Sequence, residues 1–133
     1  MQATIYSDGG ARGNPGPAGI GAVIYNENKK EIATISRFLG KATNNQAEYE
    51  ALIAVLKKAK DLNIKDAIVY LDSELIVKQI NREYKVKDKD LAKLFMQVHN
   101  LSINFENISF FHVRREFNKR ADQLANEAMD KAN

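Results

Sequence analysis

The chain contains no cysteine, which excludes disulfides, thiolate-bound zinc and thiol redox chemistry. Histidine occurs only at His99, in a helical pattern, and His112, inside a strand pattern. Both read as structural, and no Ser/His/Asp or Cys/His nucleophile set is apparent. No apolar run approaches the ~18–20 residues of a membrane span, and the first strand pattern begins almost at Met1, leaving no room for a signal peptide. The expectation is a cytoplasmic protein with no membrane association. The Gly/Pro-rich stretch from Gly9 to Pro17 matches neither GxGxxG nor the Walker A pattern, which argues against a nucleotide cofactor. A net charge of +3 is only mildly basic and would not by itself identify a nucleic-acid binder.

At 133 residues, 44% of them hydrophobic and 28% charged, the chain is expected to form one domain spanning 1–133. Such a domain buries roughly two-thirds of the surface its unfolded chain would expose. Strand patterns fall near 2–8, 19–26 and 30–39, joined by the Gly/Pro-rich loop and an Asn26-Glu27-Asn28-Lys29 turn, which suggests an antiparallel meander. Thr43-Asn44-Asn45 is a helix start signal, and Leu52, Val55, Leu56 and Ala59 carry helical periodicity to about 61. A strand at 67–72, a short helix from 73 to about 81, a helix near 89–101, a strand at 108–113 and a helix from about 118 to 132 complete the pattern. Three strands followed by helix–strand alternation imply an α/β fold with a mixed sheet covered by helices.

Four acidic residues stand where a folded protein tolerates them least. Asp8 and Asp72 each end a β-rich run, Ala3-Thr4-Ile5-Tyr6-Ser7-Asp8 and Ala67-Ile68-Val69-Tyr70-Leu71-Asp72. Glu48 is in helical phase with Leu52, Val55 and Ala59, so it faces inward, whereas Glu50 faces away. Asp122 shares a helix side with Ala125 and Met129. Capping or helix-dipole pairing accounts for any one of the four, but neither requires an inward phase at a common edge. Buried carboxylates need protonation, pairing or a metal. If the first and fourth strands are adjacent and parallel, all four meet in one cleft at the carboxyl ends of the strands.

Thr4-Ile5-Tyr6-Ser7-Asp8-Gly9-Gly10, Gly13-Asn14-Pro15-Gly16-Pro17-Ala18-Gly19, Thr43-Asn44-Asn45-Gln46-Ala47-Glu48, Leu71-Asp72-Ser73 and Asn118-Lys119-Arg120-Ala121-Asp122-Gln123-Leu124-Ala125 together resemble type 1 ribonuclease H. The likeness covers essentially the whole chain in order and spacing. It implies a ribonuclease H-like fold, in which a five-stranded mixed sheet (three antiparallel strands, then two parallel) is flanked by helices. It also implies an endonuclease that cuts the RNA strand of RNA–DNA hybrids and leaves 5′-phosphate and 3′-hydroxyl ends. Asp8, Glu48, Asp72 and Asp122 would be the catalytic set, binding two Mg²⁺ for which Mn²⁺ can substitute. That chemistry suits the residues independently. Hard oxygen ligands fit Mg²⁺, and paired ions ~3.5–4 Å apart serve in-line attack on phosphorus.

Discrimination of RNA from DNA requires sensing of the 2′-hydroxyl. Asn44, Asn45 and Gln46 offer amides that both donate and accept, and the backbone at Gly9 and Gly10 can approach a sugar closely. The resemblance carries nucleic-acid contact to Gly10, Asn14, Asn44, Asn45 and Gln46, and seating of a DNA-strand phosphate to Thr43. Ser73 and Arg12 complete the expected binding set, while Arg12, Arg114, Arg115, Lys119 and Arg120 cluster in sequence around the expected cleft and could hold phosphates. Two departures stand out. The chain has no tryptophan, and residues 82–90 lead almost directly into the next helix, so the basic Trp-containing protrusion of many members is missing. The Lys85/Lys87/Lys89 segment partly replaces it, with weaker, salt-sensitive binding expected. The loop before Asp122 also lacks a histidine, which leaves Glu116 or Arg115 to assist product release. The expected protein is a monomer with no obligate protein partner. The alternatives are a nuclease of the same fold that also acts on RNA duplexes, and a non-catalytic hybrid-binding module.

Overall fold

The computed structural model describes residues 1–132. Strands β1 (Gln2–Ala11), β2 (Gly16–Tyr25) and β3 (Glu31–Ala42) precede helix α1 (Asn44–Asp61). Strand β4 (Asp66–Leu71), helices α2 (Glu74–Ile80) and α3 (Lys89–Ser102), strand β5 (Asn107–His112), a 3₁₀ turn (Arg115–Phe117) and helix α4 (Lys119–Lys131) follow. The sheet order is β3-β2-β1-β4-β5. The first three strands pair antiparallel, and β1, β4 and β5 pair parallel, as the resemblance implies.

Strand alternation assigns the two faces of the sheet. Ala3, Ile5, Ile20, Ala22 and Ile24 join Leu52, Val55 and Leu56 of α1 in one buried cluster. α4 covers the other face over β2, where a Cβ at Gly21 would overlap the Ala121 carbonyl. Beneath α1, the Tyr49 hydroxyl donates to Gln79 Oε1 at 2.7 Å and ties α1 to α2 inside the core.

The first hairpin departs from the sequence expectation. Gly9 and Gly10 continue β1 and pair with Ile20 and Gly19, so the loop shrinks to 12–15. Glycine reads locally as a strand breaker. Here it marks close backbone approach instead: a Cβ on Gly9 would overlap the Ala47 carbonyl. That contact seats the start of α1 directly on β1. β3 likewise runs on to Ala42, immediately before the α1 cap.

Candidate functional site

The parallel ladder between β1 and β4 ends at Ser7 and Leu71, which are in register. Asp8 and Asp72 are the next residues of their strands and therefore emerge side by side. Asp8 remains inside β1, paired to Gly21 of β2, rather than terminating the strand. Glu48 points from α1 onto the same edge, where its Oε1 accepts the Gly9 N–H at 2.6 Å. Asp8, Glu48 and Asp72 each offer a carboxylate oxygen within 4.8 Å of the others. Asp122, in the first turn of α4, lies close enough for its charge to act on Asp8. All four line a cleft of about 410 Å³ together with Gly9, Gly10, Arg12, Asn44, Asn45, Ser73 and Arg115.

The acids differ in how their charge is met. Asp8 and Glu48 are 9% and 5% exposed, and no lysine or arginine bridges either one among the described residues. Burial pushes Asp8 up to about 7, reinforced by the charges of Asp72 and Asp122. Burial, then the neighbouring Asp8, hold Glu48 well above the usual carboxylate range. Burial also raises Asp72, opposed by the Asn118 amide and by Arg115. Asp122, half-buried at the mouth, meets Arg115 Nη2 at 3.3 Å. Glu48 Oε2 is buried without a hydrogen-bond partner. An unpaired buried oxygen among converging carboxylates is the donor set of a hard divalent cation, and these residues fit one.

Amides between the first hairpin and the start of α1 share a common polarity; Asn44 lines the cleft, whereas Gln46 lines a separate cavity with Leu94 of α3. The Ala11 N–H donates to Asn44 Oδ1 at 2.8 Å, and the Asn44 N–H donates to Asn14 Oδ1 at 3.0 Å. At the start of α1, the Thr43 N–H donates to Gln46 Oε1 at 2.9 Å, and Thr43 Oγ1 accepts from the Gln46 N–H at 3.1 Å, a reciprocal capping box. Asn14, Asn44 and Gln46 have each committed an oxygen to a backbone N–H. Their NH₂ groups are left as donors, suited to meet acceptors. Ser73 caps α2 through the Ile76 N–H at 3.3 Å and still lines the cleft.

Not every residue expected near the cleft is there. Arg120 turns to the far side of α4, where Glu31 holds it through two contacts of 2.8 and 3.2 Å. It lines a larger cavity of about 570 Å³ with Tyr6, Tyr25 and Phe117, and that cavity shares no lining residue with the cleft of the acids. Two positions before Asp122 lies roughly 160° around a helix, so sequence proximity misleads. Arg114 faces Glu116 at 3.9 Å, and Arg12 lies against Asp130 at 2.7 Å while lining the cleft. Neither histidine lines the cleft: His99 meets Arg82 and His112 approaches Glu74. The sequence reading overlooked Asn118, which is buried beside Asp72. An asparagine ahead of a helix reads as a cap, yet this one makes no capping bond.

Known proteins share this arrangement. A family model described as reverse transcriptase-like matches residues 6–128. A ribonuclease H of Clostridium botulinum is 34% identical over 150 aligned positions, which cover 97% of this chain and 96% of the relative. This chain belongs to the type 1 ribonuclease H family. The crystal structure of RNase H1 from Halobacterium salinarum superposes with a TM-score of 0.96 at 41% identity, covering 98% of this chain and 99% of that one. LC11-RNase H1, isolated from compost and crystallised in complex with an RNA/DNA hybrid, superposes with a TM-score of 0.93 at 46% identity over 98% of each chain. A bifunctional protein of Mycobacterium tuberculosis is 46% identical over 133 residues, and the chain spans only 36% of its length. Within the ribonuclease H family this is a short form. Only residues 81–88 separate α2 from α3, and Asp88 caps α3 at once by accepting from the Asp90 and Leu91 N–H groups.

Proposed function

We propose that the protein is an endoribonuclease that hydrolyses the RNA strand of RNA–DNA hybrids with two divalent ions, leaving 5′-phosphate and 3′-hydroxyl ends. The observation that carries this reading is the convergence of Asp8, Glu48 and Asp72 oxygens within 4.8 Å at a cleft edge where Glu48 Oε2 has no partner. Asp8, Glu48, Asp72 and Asp122 would hold Mg²⁺, with Mn²⁺ as a substitute. When bound there, such ions supply an activated water and stabilise charge on the phosphoryl and leaving oxygens.

The chain's own residues prepare that site. The Gly9 N–H fixes one Glu48 oxygen and leaves the other free. Arg115 neutralises Asp122 and is the better placed of the two candidates for assisting product release, since Glu116 is turned to Arg114. Gly9, Gly10, Arg12, Asn14, Thr43, Asn44, Asn45, Gln46 and Ser73 form the nucleic-acid surface. Its outward NH₂ groups match acceptors on sugar, phosphate and base edges in a wide, shallow minor groove. No helix among the described residues is long and apolar enough to cross a membrane. The reading is of a cytoplasmic monomer acting without a protein partner.

The test is cleavage of end-labelled RNA–DNA, RNA–RNA and DNA–DNA duplexes in Mg²⁺. Hybrid cleavage with no cutting of DNA is expected, and an uncut hybrid refutes the proposal. Asn44→Asp sharpens the assay, because it keeps the acceptor that Ala11 uses but replaces the outward donor by an anionic oxygen. KM for the hybrid is expected to rise about tenfold, the equivalent of ~1.4 kcal/mol, with melting unchanged. An unaltered KM would remove Asn44 from the binding surface.

A further inference from the structure

Asn118 is 1% exposed and begins α4 without capping it. Its Nδ2 donates instead to the Ser7 main-chain carbonyl at 3.0 Å and to Asp72 Oδ2 at 3.3 Å. Ser7 immediately precedes Asp8 at the point where the parallel ladder ends. The Asn118 carbonyl in turn accepts the Asp122 N–H at 3.1 Å. One residue therefore ties together the three elements that carry Asp8, Asp72 and Asp122, the first two through its side chain and the third through its backbone.

A primary amide has two N–H donors, and both are committed, one to each side of the strand pair. A cap would need only an oxygen directed at α4, and Ser, Thr or Asp would serve as well. None of those presents a pair of donors at this reach, and an aspartate would set a second anion against Asp72. The Asn118 side chain thus points away from the helix it starts and toward the acids.

We infer that Asn118 is a positioning residue for the carboxylate centre, fixing the Asp72 carboxylate and the height of Asp122 above β1. The inference rests on the metal-binding reading above. Partners that orient metal-binding carboxylates typically influence affinity or activity 10–100-fold when removed. The effect should therefore appear in ion binding before any substrate is present.

Mn²⁺ alone is titrated calorimetrically into wild type and Asn118→Ala, with the melting temperature and the KM for hybrid measured on the same samples. The expected result is a Kd for Mn²⁺ raised about 10–100-fold, an unchanged KM, and a kcat that falls at low Mg²⁺ and partly recovers at high Mg²⁺. A variant that melts earlier yet binds Mn²⁺ like wild type overturns the inference, since a purely structural tie would do just that. Failure of wild type itself to bind Mn²⁺ would sink the metal-binding reading instead. Should Asn118→Ala not fold, Mg²⁺ titration of isotopically labelled wild type decides. The Asn118 side-chain amide resonances are expected to move in step with the Asp72 carboxyl carbon. Amide resonances that stay fixed while that carbon shifts overturn the assignment.

Discussion

Replacing Asp8 by asparagine is expected to lower the rate of hybrid cleavage at least about a thousandfold at saturating Mg²⁺, with the fold intact. Asp8 sits at the middle of the cluster: it offers an oxygen within 4.8 Å of those of Glu48 and Asp72, and the charge of Asp122 acts on it as well. An amide of the same shape preserves packing against β2 but removes an anionic oxygen from the middle of the cluster. Metal-supplied stabilisation of a phosphoryl transition state is worth several kcal/mol, and each 1.36 kcal/mol is a factor of ten. Loss of half that stabilisation already reaches hundredfold, and failure to hold one of the two proposed ions removes most of it. Single-turnover cleavage of labelled hybrid by the variant checks the figure. A loss of less than about tenfold would mean that the ions are held elsewhere.

The same substitution should make the metal-free protein more stable at pH 8. Asp8 ionises near 3.8 in the unfolded chain and at about 7 in the fold. Between those values the native state binds the extra proton, so unfolding free energy falls as pH rises from about 4 to about 7 and is then level. Glu48, also raised by burial, works in the same direction. At 1.36 kcal/mol per unit the gap of about three units puts the penalty from Asp8 at pH 8 on the order of 4 kcal/mol. Asp8→Asn removes the charge and with it most of the penalty. Urea unfolding in EDTA should find the variant more stable than wild type at pH 8, with the gap closing toward pH 5. Mg²⁺ should raise the stability of wild type above that of the variant. A variant no more stable than wild type at pH 8 would show that the buried acids are not strained in the absence of metal.

The order of strands and helices was legible in the sequence because the local signals agreed with the fold. α1 starts at the Thr43-Asn44-Asn45 signal because a cap is a local device, here closed between Thr43 and Gln46 three residues on. The inward phase of Glu48 was equally readable, because the helix period ties it to Leu52, Val55 and Ala59, all buried. Asp122, Ala125 and Met129 were placed on one side of a helix by the same period, and all three line the cleft. What escaped reading was tertiary. Gly9 and Gly10 look like a loop until α1 is laid against them. Arg120 looks like a cleft residue until Glu31, distant in sequence, claims it. The partner of Asn118 is a carbonyl on β1, and no local pattern announces a contact across that separation.

The most direct measurement is an anomalous difference map of Mn²⁺-soaked crystals of Asp122→Asn bound to an uncleaved RNA–DNA hybrid, compared with the hybrid-free wild type. Two peaks about 4 Å apart among Asp8, Glu48 and Asp72, bridging to the RNA phosphate, are the expected result. Peaks outside that cluster, or none with the hybrid seated in the cleft, would contradict the account.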